Sequence, residues 1–151
     1  MKNLLFTLAG IATFAFAGCN DEDEDVAKTV APTASRTEMI TTKDWMMTSA
    51  VQVENGNSVD LFAAQPVTSR DDVFKFEESG KAIREEGATR EDGSSDVVDS
   101  GQWSFINEEK DLKVDLQSMR MNDQIVELTK DRLVVRNFDG KSEIVTTFLA
   151  E

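Results

Sequence analysis

The sequence predicts an all-β fold, an eight-stranded antiparallel up-and-down barrel, and three observations lead there. After Glu38 no ten-residue stretch keeps a 3.6-residue apolar period, and period-2 runs recur instead. Turn residues such as Ser79-Gly80 and Asp139-Gly140 bound these runs at short intervals. Folded as hairpins, four adjacent pairs of runs each place their apolar residues on one shared face. Closing the sheet removes its edges, and no long crossing connection of the kind a two-sheet sandwich needs is visible.

Taken in order, residues 37–43 suggest a short helical turn. Strands follow at about 45–53, 73–78, 81–86, 101–106, 111–117, 123–129, 132–138 and 141–149. A two-residue Ser79-Gly80 turn pairs Phe76 with Ile83. A loop centred on Glu108-Glu109 pairs Phe105 with Leu112 and Trp103 with Val114. A Lys130-Asp131 turn pairs Leu128 with Leu133 and Val126 with Val135. Asp139-Gly140 is a hairpin-forming dipeptide; it pairs Val135 with Ile144 and Leu133 with Thr146 inside, and Arg136 with Glu143 and Val134 with Val145 outside.

The chain before the barrel divides into residues 1–18 and 19–37, leaving 38–151 for the domain. Lys2 precedes the apolar run Leu4–Ala17, which is shorter than the roughly 20 residues of a membrane span and ends in small residues, as a signal peptide does. Phe16-Ala17-Gly18-Cys19 resembles the lipobox of bacterial lipoproteins. That resemblance implies that Cys19, the only Cys, becomes the lipidated first residue of the mature chain and its membrane anchor. Asn20-Asp21-Glu22-Asp23-Glu24-Asp25 is similar to the acidic export signal that some Gram-negative bacteria place after the lipidated Cys. It implies an outer-membrane lipoprotein facing the cell exterior; the plainer alternative is a solvated spacer. Residues 26–37 are small and polar and read as a disordered tether.

Within the barrel, four segments carry a second resemblance: Asp44-Trp45-Met46-Met47, Asp71-Asp72-Val73-Phe74-Lys75-Phe76, Gly101-Gln102-Trp103-Ser104-Phe105 and Ile125-Val126-Glu127-Leu128. Together they resemble the lipocalin-like domain of bacterial surface lipoproteins over about residues 40–150. The resemblance implies a barrel that binds a small molecule.

Long connections (54–72 and 87–100) and the loop near Met119 and Met121 gather at one end, which makes that end a mouth. An eight-stranded barrel is filled by side chains or holds one small ligand. Trp45, Met47, Phe76, Ile83, Phe105, Leu112, Leu128, Leu133 and Phe148 fall in the closed half as core. The mouth half holds Val51, Phe74, Glu85, Trp103, Leu116, Val126 and Asn137, with Met119 and Met121 above. Apolar walls, adaptable Met and a few polar groups suit a small-molecule site, and they equally suit an upper core. Glu85 stands opposite Phe74 in this register, so either it is a polar contact in the mouth or a bulge turns it outward.

Composition removes several functions. No His and one Cys exclude His-based catalysis, a Cys–His dyad and most metal-ligand sets. A net charge of −13 disfavours nucleic acid and an anionic membrane surface. The acid pairs Asp71-Asp72, Glu77-Glu78 and Glu85-Glu86 cannot converge, because neighbours on a strand point to opposite faces. The run Glu91-Asp92-Gly93-Ser94-Ser95-Asp96 to Asp99 lacks the alternating ligands of a calcium loop. No catalytic residue, metal or cofactor is expected. Two functions remain: a carrier for a small apolar molecule, using Phe74, Glu85, Trp103, Leu116, Met119, Met121 and Asn137, or an interaction module using the long loops or an outer patch near Ile125, Val134 and Val145.

Overall fold

The computed structural model describes residues 34–90, 96–138 and 140–151. Cys19, the expected signal peptide, most of the 19–37 segment, residues 91–95 of the acidic run and Asp139 of the expected Asp139-Gly140 turn lie outside the described residues. Ser35-Arg36-Thr37-Glu38 has the spacing of a helix-start capping box, and Ser35 Oγ accepts the Glu38 N–H at 3.1 Å. It opens α1 (Arg36–Thr41), which buries Ile40. Nine strands follow: β1 (Trp45–Glu54), β2 (Asn57–Asp60), β3 (Val73–Phe76), β4 (Lys81–Glu85), β5 (Val97–Ile106), β6 (Asp111–Leu116), β7 (Arg120–Leu128), β8 (Arg132–Phe138) and β9 (Ser142–Ala150).

All pairings are antiparallel, and β1 with β3 to β9 close an eight-stranded barrel through β1–β9. The expected fold class is therefore the observed one. The extra strand β2 folds back on the far half of β1 and is exposed along its length. Inside, Trp45, Phe76, Leu112, Val114, Leu133, Val135 and Phe148 are buried together in the core. Phe76, Trp103 and Phe105 stack edge-on in series, with ring centroids 5.6 and 5.3 Å apart. Below them α1 lies across the short-turn end, where the Trp45 indole N–H donates to Ile40 O at 2.8 Å.

Hairpin registers were expected from turn residues, and the structure keeps some and moves others. β5 and β6 pair as read, Phe105 with Leu112 and Trp103 with Val114. Their loop holds Asn107, Glu108 and Glu109 at φ 51, 58 and 61, the left-handed region that tight hairpin loops demand. Leu128 also pairs with Leu133 as read, but a bulge then puts Ile125, not Val126, opposite Val135. Val126 is 56 % exposed, and Ile125 packs on the core instead of lying on an outer patch.

Between β8 and β9 the register is two residues from expectation: Val135 faces Thr146 and Leu133 faces Phe148. A slip of two leaves every side chain on its expected face, so Arg136 and Glu143 remain outside, joined at 3.7 Å. A slip of one separates the observed β3–β4 hairpin from the expected one, and its effect is larger. The connection is the three-residue loop Glu78-Ser79-Gly80, with the Glu77 N–H on Lys81 O and Gly80 at φ 86. Such loops place a left-handed residue last, where Gly fits without strain. Phe76 consequently pairs with Ala82 and Phe74 with Arg84. Ala82 and Arg84 point inward, while Ile83 and Glu85 point out.

A bulge at Thr48 does the same to β1, so that Ala50 and Gln52, not Val51, take the inner side of its second half. Gln52 Nε2 donates to the buried Ser142 hydroxyl at 3.0 Å.

Candidate functional site

Long connections do gather at one end, formed by residues 55–72, the segment after β4 and the β6–β7 turn. Under the first of these lies a cavity of about 220 Å³ lined by Met47, Gln65, Pro66, Ser69, Asp72, Phe74, Arg84 and Met119. That is room for roughly seven waters at about 30 Å³ each. Larger concavities exist; one of about 470 Å³ is open and lined mainly by polar groups, including Asp111, Gln124, Arg136 and Glu143. The smaller cavity combines apolar walls with buried charge, the usual make-up of a small-molecule site.

The cavity sits at the weakest joint of the barrel. β1 and β3 share only the pairs Trp45–Phe74 and Met46–Val73. Beyond Met46 the two strands part, and residues 61–72 fill the gap. That segment is tied at both ends: the Leu61 and Phe62 N–H groups share Ala50 O at 2.8 and 3.2 Å. At the other end the Arg70 guanidinium donates to Ala63 O and Gln65 O at 2.8 to 3.1 Å.

Three strands supply the site's polar row. Phe74 on β3 stands opposite Arg84 on β4, which stands opposite Asp99 on β5. Asp72, immediately before β3, is 4 % exposed. Its Oδ2 lies 3.7 Å from Arg84 Nε, too long for a hydrogen bond. Asp72 Oδ1 and Arg84 Nε are both buried with no hydrogen-bond partner, as are Asp71 Oδ1 and Glu86 Oε2. Burial holds the Asp72 carboxyl above the usual carboxylate value, with Glu86 and Asp71 adding to the effect and Arg84 and the Gly87 N–H opposing it.

Asp99 is the contrasting case. Its carboxylate accepts the Gln117 and Ser118 N–H groups at 3.0 and 2.8 Å, together with the Ser118 hydroxyl. Burial pushes this carboxyl up, but hydrogen bonds from Ser118, Gln117 and Ser100 outweigh it and the group sits below the usual value. The result is a rigid β6–β7 turn, which sets Met119 against the cavity.

Of the residues singled out in the sequence, Phe74 and Met119 line this cavity. Leu116 is buried core and Met121 packs beside it. Asn137 donates to Asp123 Oδ1 at 2.9 Å and borders the larger polar concavity. Trp103 lies at the opposite, closed end, because its indole N–H reaches Glu77 O in the β3–β4 turn at 2.8 Å. Glu85 lies outside the barrel, 2.7 Å from Lys75, and that hydrogen bond, opposed by partial burial, raises the Lys75 ammonium above its usual value. Asp72 and Arg84 were missed. The signal that could have found them is the alternative three-residue loop at Glu78-Ser79-Gly80, which turns Arg84 inward.

No protein-family model matches this chain, and no curated protein matches it significantly in sequence.

Proposed function

We propose that this protein is a lipid-anchored, non-enzymatic carrier whose lipocalin-like barrel holds a small, largely apolar molecule beneath residues 61–72. One observation carries the reading: Met47, Pro66, Phe74 and Met119 wall a cavity of about 220 Å³ that also meets Asp72 and Arg84, whose Oδ1 and Nε are buried without a hydrogen-bond partner. Buried polar groups without partners are rare in native proteins, and a ligand or ordered water is the usual explanation. Met and Phe give adaptable apolar contact to an occupant.

Support for anchoring is in the sequence: the apolar run, Gly18-Cys19 and the acidic residues 21–25 suit lipidation at Cys19 and display on the outer face of a Gram-negative outer membrane. Absence of His and of any Cys beyond Cys19 supports a non-enzymatic role. Native mass spectrometry of the protein purified from its own host tests the carrier reading, which requires a small molecule at one equivalent. Cys19→Ala tests the anchor, since the variant should move from membrane to soluble fractions. Retention in the membrane would refute lipidation.

A second reading, an interaction module, draws on Phe138, 68 % exposed at the end of β8. The patch first expected for it is reduced, because Val134 is buried and Ile125 faces the core.

A further inference from the structure

Charge at the cavity's polar end is unbalanced. Asp72 lines the cavity with Oδ1 unmet, and Asp71 Oδ1 and Glu86 Oε2 are likewise buried without partners. Against these stands Arg84, whose Nε lies 3.7 Å from Asp72 Oδ2. Two further guanidinium groups of this end are committed elsewhere, Arg70 to the carbonyls of Ala63 and Gln65 and Arg90 to Gly87 O and Asp96. The unmet atoms are thus three carboxylate oxygens and one guanidinium nitrogen.

We propose that the occupant presents an ammonium group to Asp72 Oδ1 while its apolar body lies along Met47, Phe74 and Met119. The inference rests on the carrier reading above and names the chemistry of its ligand. Ionised carboxylates only accept hydrogen bonds, so the partner they lack is a donor. An anionic head would bring a further negative charge to a site already in surplus. A neutral head would leave that surplus uncompensated in a poorly solvated place. An ammonium supplies three donors and the missing charge, and charge-assisted N–H···O⁻ bonds are about twice as strong as neutral ones. The net charge of −13 on the whole chain draws cations toward the protein as well.

Titration calorimetry of the full-length protein near neutral pH tests this with three probes of one length: n-hexylammonium, hexanamide and hexanoate. Hexylammonium should bind one to one, at least tenfold tighter than hexanamide, with hexanoate weakest. Asp72→Asn should erase that preference. Should that variant not fold, Glu86→Gln decides: it should reduce the preference severalfold, and an unchanged preference overturns the proposal. Hexanamide or hexanoate binding as tightly as hexylammonium refutes the ammonium and leaves the carrier standing. Failure of all three probes to bind overturns both.

Discussion

Asp99 on β5 and Ser118 in the β6–β7 turn are joined twice, by the Ser118 N–H at 2.8 Å and by its hydroxyl on the same carboxylate oxygen. Asp99→Asn replaces an acceptor with an amide that cannot take all three donors. It should destabilise the protein by about 1–3 kcal/mol at neutral pH. The folded carboxyl titrates below its unfolded value of 3.8, so its contribution is complete above that value. It is lost as pH falls through the folded value. Urea midpoints for parent and variant should therefore converge in acid; an equal gap at neutral and acid pH would contradict this account.

Arg84 and Glu85 are sequence neighbours with opposite expected sensitivities. Glu85→Gln removes a half-exposed ion pair to Lys75 and should change stability by less than about 1 kcal/mol. Arg84→Leu strands Asp72 as a buried charge and should be destabilising by about 3 kcal/mol at neutral pH. The Asp72 carboxyl already titrates above its unfolded value. Stability linked to it is thus present below the unfolded value and lost as pH rises through the folded one. The Arg84→Leu defect should accordingly grow with pH. A larger loss for Glu85→Gln than for Arg84→Leu would restore the two-residue Ser79-Gly80 turn.

Trp45→Phe keeps an aromatic ring but removes part of a fully buried indole and leaves Ile40 O without its donor. The expected cost is about 1–3 kcal/mol. Amide exchange over residues 36–41 should accelerate more than exchange in β6 or β8, since the bond ties α1 to the barrel floor.

Gly101 and Gly56 separate close approach from backbone strain. A Cβ on Gly101 would lie 1.9 Å from Asp115 O, in the β5–β6 ladder, so Gly101→Ala must push two strands apart and should cost about 3 kcal/mol or more. Gly56 has φ +78 and nothing within 4 Å, so Gly56→Ala should cost only about 1–2 kcal/mol of backbone strain. Equal thermal shifts for the two variants would overturn this separation.

Much of the barrel was legible because alternation of apolar residues reports which face a strand buries, and a hairpin must bring two such faces together. Leu128 with Leu133 and Phe105 with Leu112 follow from that rule alone. What alternation cannot count is the residues in a turn. Ser79-Gly80 satisfies a two-residue turn as well as the end of a three-residue loop, and the choice decides whether Arg84 or Glu85 enters the barrel. Bulges at Thr48 and Val126 were hidden for a related reason: each puts one residue out of step inside a run whose composition is otherwise uniform. β2 was missed because Asn57-Ser58-Val59-Asp60 pairs with β1 through its backbone and buries nothing. Of the candidate site, Phe74 and Met119 were therefore readable, whereas Met47, expected in the closed half, and the charged pair Asp72 and Arg84 were not.

The two-rung joint between β1 and β3 bears on how the cylinder can change girth. Seven of its eight seams are ladders of four or more rungs, which open only by losing several hydrogen bonds together. At the eighth, β1 passes from β3 to β2, and the span between is bridged by a patch of chain whose curvature is set by one arginine gripping two carbonyls. This is consequently the seam where the fewest backbone rungs would have to part for the circumference to change. Widening there would enlarge the space beside Asp72 and leave the aromatic stack and the floor of the barrel at rest.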